Sequence, residues 1–159
     1  MFDTKEILAY AKEMKLRTFC KESDAIEGET WNDEFGLRAA KHAIQKGFKK
    51  PEDFLKVHSI VGQRVVEPWV GKWRTCDVRV GSYVPASWQM VPQMMDLFCM
   101  GLKNMNAWQA HIEFERIHPF QDFNGRVGRL LWLWKAKKEG YDVNRTFLHE
   151  FYYQTLKNV

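Results

Sequence analysis

The stretch VGRLLWLWKAKK, residues 127–138, constrains the fold more than any other part of the chain. Its helical pattern is apolar on nearly every side, and such a helix is stable only when other elements enclose it. The rest of the chain must supply those neighbours, and its periodicity is suited to the task. Thr4 to Glu27 read as helix, with Ile7, Leu8, Ala11, Met14 and Leu16 along one apolar stripe and Gly28 placed to close it. Thr30 opens TWND, where Thr30 and Asp33 form a capping-box pattern. The helix behind it carries Phe35, Leu37, Ala39, Ala40, Ala43 and Ile44 and runs to about Lys46. Pro51 suits the first turn of a third helix bearing Phe54, Leu55, Val57, Ile60 and Val61. Further helices are expected over 92–103, over 106–117 with Ala107, Ala110, Phe114 and Ile117 on one face, and over 144–156.

Between Val66 and Trp88 the texture changes. Cys76, Val78 and Val80 alternate with Thr75, Asp77 and Arg79, bracketed by Gly71, Gly81, Pro68 and Pro85. That period of two predicts a short strand or hairpin, too small to build a sheet core alone. The class is therefore all-α with one small β excursion. A chain of 159 residues, 45% hydrophobic and 14% aromatic, buries a core without staples, and residues 1–159 are read as one domain.

Composition excludes several functions. The longest apolar run, Leu130 to Trp134, is far too short to span a membrane. MFDTKEILAYAKE is charged and helical in pattern, unlike a secretory signal, so a cytoplasmic protein is expected. Cys20, Cys76 and Cys99 are too scattered for a disulfide framework or a zinc site and read as buried, reduced thiols. The net charge of +4, with lysines at 46, 49 and 50 and again at 135, 137 and 138, lacks the basic stripe of a nucleic-acid reader. Trp69, Trp73 and Trp88 read as core, and a homo-oligomer is left open.

The chemistry concentrates in IHPFQDFNGRVGR, Ile117 to Arg129, between two core helices. Pro119 cannot continue the first helix, which leaves His118 at a turn beside the start of the second. That start has free backbone N–H groups and the positive end of a helix dipole, and Gly125 lets a phosphate approach closely. Arg126 and Arg129 project from one side of the helix and can clamp phosphates with forked donors. Asp122 suits Mg²⁺, which takes one protein carboxylate and fills its other positions with phosphate oxygens and water. His118 is the nearby group able to act as general base near neutral pH. Singly, each has an ordinary structural reading, such as a cap, a satisfied histidine or a surface ion pair; their combination points to a nucleotide seat.

HPFQDFNGRVGR resembles the signature of the Fic domain family, HPFx[D/E]GNGRxxR, at His118, Pro119, Phe120, Asp122, Asn124, Gly125, Arg126 and Arg129. GKWRTCDVRVGSYVP is similar to the family's flap, a hairpin over the active site, so the resemblance spans the chain. It implies a Fic-type helical fold and transfer of AMP from ATP to a Ser, Thr or Tyr hydroxyl of a target protein. His118 would be the base and Asp122 would hold Mg²⁺. Asn124 and the Gly125 backbone would hold phosphate oxygens, and Arg126 and Arg129 would stabilise the pyrophosphate leaving group. Thr75 to Val80 (Thr75, Cys76, Asp77, Val78, Arg79 and Val80) would dock an extended target segment by main-chain pairing. Phe123 departs from the pattern, standing where the family usually has glycine in the phosphate-binding turn. It either strains that turn or packs beside the adenosine end or the flap.

SDAIEG, Ser23 to Gly28, is similar to the family's inhibitory motif, [S/T]xxxE[G/N], at Ser23, Glu27 and Gly28. By that resemblance 4–28 is an N-terminal inhibitory helix whose Glu27 takes Arg129 away from the γ-phosphate. The alternatives are a silent nucleotide-binding or interaction module, transfer of another phosphate-containing group, and removal of AMP. The Doc-like branch, which transfers phosphate, usually has lysine where Gly125 stands.

Overall fold

A computed structural model of the protein describes residues 4–30 and 34–141. Among the described residues six α-helices carry the architecture: α1 (Thr4–Ile26), α2 (Phe35–Lys46), α3 (Pro51–Val61), α4 (Val91–Gly101), α5 (Ala107–Ile117) and α6 (Asn124–Lys138). The class is all-α, as expected. The helix expected over 144–156 and Asp33 of the Thr30–Asp33 capping-box pattern lie outside the described residues.

The helix that is apolar all round occupies the centre. In α6, Val127, Leu131 and Leu133 are completely buried, and the helix packs against α1, α2, α3 and α5. Phe54 of α3 stacks on Phe114 of α5 and meets Phe48 and Phe98, joining those elements into one aromatic core. Two starts are fixed by side chains that take up otherwise unpaired N–H groups. Asp53 accepts the amides of Lys49 and Lys50 ahead of α3, at 2.8 and 3.0 Å. Asn106 and Gln109 form a reciprocal capping box at the start of α5, at 2.8 and 3.0 Å.

Several local expectations are corrected. The α2 helix starts at Phe35, with Glu34 rather than Thr30 before it. The α1 stripe is not buried along its length: Leu8 and Met14 are 55% and 43% exposed, and apolar burial begins at Phe19. The first half of α1 is tied instead by ion pairs, Lys41 to Glu13 at 2.9 Å and Arg17 to Glu34 at 2.9 Å. Cys20 is buried, but Cys76 is exposed. Trp69 and Trp73 pack against the core, whereas Trp88 is exposed.

The hairpin over Thr75–Val80 is the main correction. Among the described residues its pairing is one antiparallel bridge, Val80 to Tyr83, with bonds of 2.9 and 3.0 Å around the Gly81–Ser82 turn. A ladder does not extend from it because side chains claim the backbone groups on either side. Arg74 Nη1 donates to the Cys76 carbonyl at 3.0 Å, Arg74 Nη2 to the Ala86 carbonyl at 2.5 Å, and the Trp88 amide donates to Asp77 at 2.9 Å. The segment is an irregular loop. At its tip Tyr83 Oη donates to the Arg116 carbonyl at the end of α5, at 3.0 Å.

Candidate active site

The α5–α6 junction is built on two left-handed residues. His118 caps α5 at φ 49°, ψ 60°, and its amide donates to the Phe114 carbonyl at 3.0 Å. Phe123 precedes α6 at φ 61°, ψ 13°. Non-glycine residues seldom adopt this conformation, which costs roughly 1–2 kcal/mol, so the surrounding contacts must fix it. They do so at both residues.

Asn124 holds the turn from within. Its side-chain amide accepts the Phe120 N–H and donates to the Phe120 carbonyl, both at 2.8 Å, and is 2% exposed. That side chain is therefore committed to the turn, and what Asn124 offers a phosphate is its backbone N–H. Asp122 Oδ1 accepts the Phe123 amide at 2.6 Å while the residue stays exposed. His58, fully buried on α3, stacks on Phe120 at 3.8 Å, accepts the Gly71 amide at Nδ1 (2.8 Å) and so presents Nε2–H to the Asp122 carbonyl at 3.2 Å. Burial holds its imidazole down to about 4, so it stays neutral.

Phe123 has a definite place. Its ring is 6% exposed and lies 5.6 Å from Trp69 and 6.1 Å from His58. The Arg126 and Arg64 guanidinium groups lie over it at 5.1 and 5.8 Å. It adopts the backbone conformation a glycine would favour and turns its side chain into the core.

Both arginines of α6 face α1. Arg129, 1% exposed, donates from Nε to Ser23 Oγ at 2.7 Å and from Nη2 to the Ser23 carbonyl at 3.0 Å, and Nη2 pairs with Glu27 at 2.5 Å. Arg126 donates from Nε to Asp24 at 2.9 Å and its Nη2 pairs with Glu29 at 2.7 Å. Arg64 joins the same two acids, at 3.2 and 3.4 Å. Gly28, at φ 74°, turns the chain after α1, and its amide donates to the Ala25 carbonyl at 3.0 Å. The Glu27 carboxylate then lies against Gly125, where a Cβ would come within 2.7 Å of Oε1. An acid thus sits at the start of α6, where free N–H groups and the helix dipole favour an anion.

His118 is mostly enclosed, its side chain 18% exposed. Burial lowers its pKa below the ordinary value; the Glu115 backbone opposes this, the Arg74 charge adds to it, and Glu27 and Asp122 oppose it more weakly. The imidazole is therefore neutral at neutral pH, the form that accepts a proton. Glu115 Oε2 lies 3.9 Å from His118 Nδ1, and Oε1 lies 3.9 Å from His111 Nδ1. Burial pushes Glu115 up to about 7 against the pull of Arg129.

The fold thus gathers His118, Asp122, Phe123, Asn124, Gly125, Arg126 and Arg129 with Ser23, Glu27 and Gly28. Thr75, Cys76, Asp77, Arg79 and Val80 are exposed and Val78 is half-buried, on the loop beside the His118 turn. Sequence reasoning missed Asp24, Glu29, His58, Arg64 and Arg74. One signal was present: acids at 24 and 27 repeat the spacing of arginines at 126 and 129. Among the described residues no three His, Cys, Asp or Glu side chains gather around a metal position. Mg²⁺ needs only one or two protein carboxylates when phosphates complete its shell, so exposed Asp122 fits it.

The profile of the Fic/DOC family matches residues 48–135. A protein adenylyltransferase Fic of Aedes aegypti is 29% identical over 149 residues, covering 80% of this chain and 30% of its own length. Fic-1 from C. elegans superposes with a TM-score of 0.72 at 21% identity, over 98% of this chain and 58% of that one. A Fic family protein from Desulfovibrio desulfuricans G20 gives 0.70 at 22% identity, over 92% and 56%. The chain spans less than a third of the length of such curated relatives, and a little over half of these solved chains.

Proposed function

The chain belongs to the Fic/DOC family, and from that premise we propose that it is a self-inhibited protein adenylyltransferase. It moves AMP from ATP to a Ser, Thr or Tyr hydroxyl of a target protein. The observation that carries this reading is the Glu27 carboxylate lying between Gly125 and Arg129, an acid in the seat where the triphosphate would be anchored.

His118, neutral and beside the turn, takes the proton of the incoming hydroxyl. The hydroxyl oxygen attacks the α-phosphorus, the bond to the β-phosphate oxygen breaks, and pyrophosphate leaves with the electron pair. The N–H groups from Asn124 onward and the Arg126 and Arg129 guanidiniums receive the charge of the triphosphate and its leaving group. Phe123 keeps that turn left-handed, which supports an intact nest of N–H donors despite the missing glycine. Asp122 would hold Mg²⁺, whose charge neutralises phosphate oxygens. Residues 4–28 are the inhibitory helix, and the brake is wider than Glu27: Ser23 holds Arg129, while Asp24 and Glu29 hold Arg126. The loop over Thr75–Val80 is the surface for the target.

Incubation with labelled ATP and Mg²⁺ tests this. Glu27→Gly raises labelling ~10- to 100-fold, the factor represented by a charge-assisted hydrogen bond of about 1.5–3 kcal/mol. His118→Ala in that background lowers it by ~10²- to 10⁴-fold. Equal labelling of wild type and Glu27→Gly would sink the brake, and no labelling of either would sink the transferase.

A further inference from the structure

Arg74 is 1% exposed, and its guanidinium pairs only loosely with a carboxylate, that of exposed Asp77 at 3.7 Å. Its partners are carbonyls from three separate places. Nε donates to the His118 carbonyl at 2.9 Å, Nη1 to Cys76 at 3.0 Å and Nη2 to Ala86 at 2.5 Å. Its own amide donates to the Pro119 carbonyl at 2.9 Å. The two flap carbonyls lie on opposite arms of the loop around Gly81, and the other two follow each other in the His-Pro turn. Only a planar fork with several donors reaches acceptors in these directions at once, and a lysine ammonium does not.

A buried charge kept among carbonyls where an apolar side chain would fill the space points to a geometric role. His118 needs outside support for its left-handed backbone, and the flap lacks a strand ladder to stiffen it. One side chain supplies both. We infer that Arg74 is a positioning residue that locks the flap and the His118 turn into one unit, setting the distance between the docked target hydroxyl and the base. The transfer role rests on the reading above; the mechanical lock does not.

Two measurements on the full chain test it. In the unmodified chain, hydrogen exchange of the Arg74, Val80, Tyr83, Trp88 and His118 amides, followed against low denaturant, should share one opening transition. In a Glu27→Gly background, Arg74→Lys should raise exchange at the flap and the His118 turn together, at least ~10-fold, leaving α3 and α6 protected. AMP transfer should fall ~10²-fold through kcat, as expected for a misplaced reacting group, with the Kd for Mg²⁺·ATP within about 2-fold. Independent opening of the two segments in the unmodified chain overturns the lock, even if Arg74→Lys fails to fold. So does unchanged exchange in either segment of the variant. Loss of transfer through ATP affinity alone overturns the positioning role. If the Glu27→Gly parent transfers nothing, the adenylyltransferase reading fails, while the exchange results still decide the lock.

Discussion

Arginines brace both flanks of the α5–α6 junction, and they do so with different partners. On the α1 flank, Arg126 and Arg129 meet carboxylates of α1 and the turn after it, with Arg129 also bound to the hydroxyl and carbonyl of Ser23. On the flap flank, Arg74 meets backbone carbonyls, two of them belonging to the loop it braces. The difference teaches what each guanidinium can exchange. A phosphate offers forked donors the same partner as a carboxylate, so Arg126 and Arg129 can trade α1 for an anion with little loss. A carbonyl has no such substitute, and Arg74 is committed.

The largest expected effect separates the flanks directly. Asp24 is 3% exposed and holds both Arg126 and Arg64, so Asp24→Asn leaves two enclosed cations short of a charge. Breaking a buried pair costs roughly 3–5 kcal/mol. Denaturant unfolding should register that loss, and Mg²⁺·ATP at about 100 times its Kd should restore some 2.7 kcal/mol in Asp24→Asn combined with Glu27→Gly. In the same background the nucleotide should stabilise Arg74→Lys by a similar amount, since its Kd is unchanged, yet leave hydrogen exchange at the flap raised. Nucleotide that returned flap exchange to the parental level would erase the distinction between exchangeable and committed arginines.

Phe123→Gly probes the seam between the flanks. It restores the family's residue and relieves roughly 1–2 kcal/mol of left-handed strain. It also removes a buried aromatic ring, a loss of about 3–5 kcal/mol. The expected outcome is a net destabilisation of about 2–3 kcal/mol in denaturant unfolding, with Arg64 and Arg126 losing the ring beneath them. A more stable Phe123→Gly would mean the ring contributes little beyond strain.

The last effect is a pH dependence. Burial holds His58 at about 4 and His111 at about 3, whereas the unfolded chain protonates them near pH 6.5. Between those values the unfolded state binds the extra protons, so their contribution is complete above about pH 6.5 and is lost as pH falls toward 4. Each accounts for ~1.4 kcal/mol per pH unit in that window. Glu115, pushed up to about 7, acts oppositely, because the folded state keeps its proton while the unfolded chain releases one above about pH 4.5. Thermal midpoints across pH 4–7 should flatten in His111→Gln and steepen in Glu115→Gln. Parallel curves for all three proteins would remove these groups from the linkage.

Local chain chemistry made much of this legible in the sequence. Pro119 ends a helix wherever it stands, and periodicity placed α2, α3, α4, α5 and α6 to within a few residues. The all-round apolar pattern of 127–138 identified the central helix, because only enclosure satisfies it. The turn's own residues pointed to a candidate base, a candidate anion seat and an acid suited to a metal. Period-two alternation over 75–80 misled, because a ladder also needs backbone groups that are free to pair, and Arg74 and Asp77 take them. The α1 stripe misled at Leu8 and Met14 for a related reason, since an apolar face is buried only where a neighbour covers it.

What the sequence determined by itself was each group's type and the turn that would present it. What only the tertiary structure decided was which groups meet. Ser23 and Arg129 are 106 positions apart, and Arg74 and His118 are 44 apart. Such meetings follow from how helices pack around α6 and carry no local signature. For that reason the candidate base, His118, could be named from its neighbours in the chain, while the guanidinium proposed to fix its position could be found only in the folded molecule.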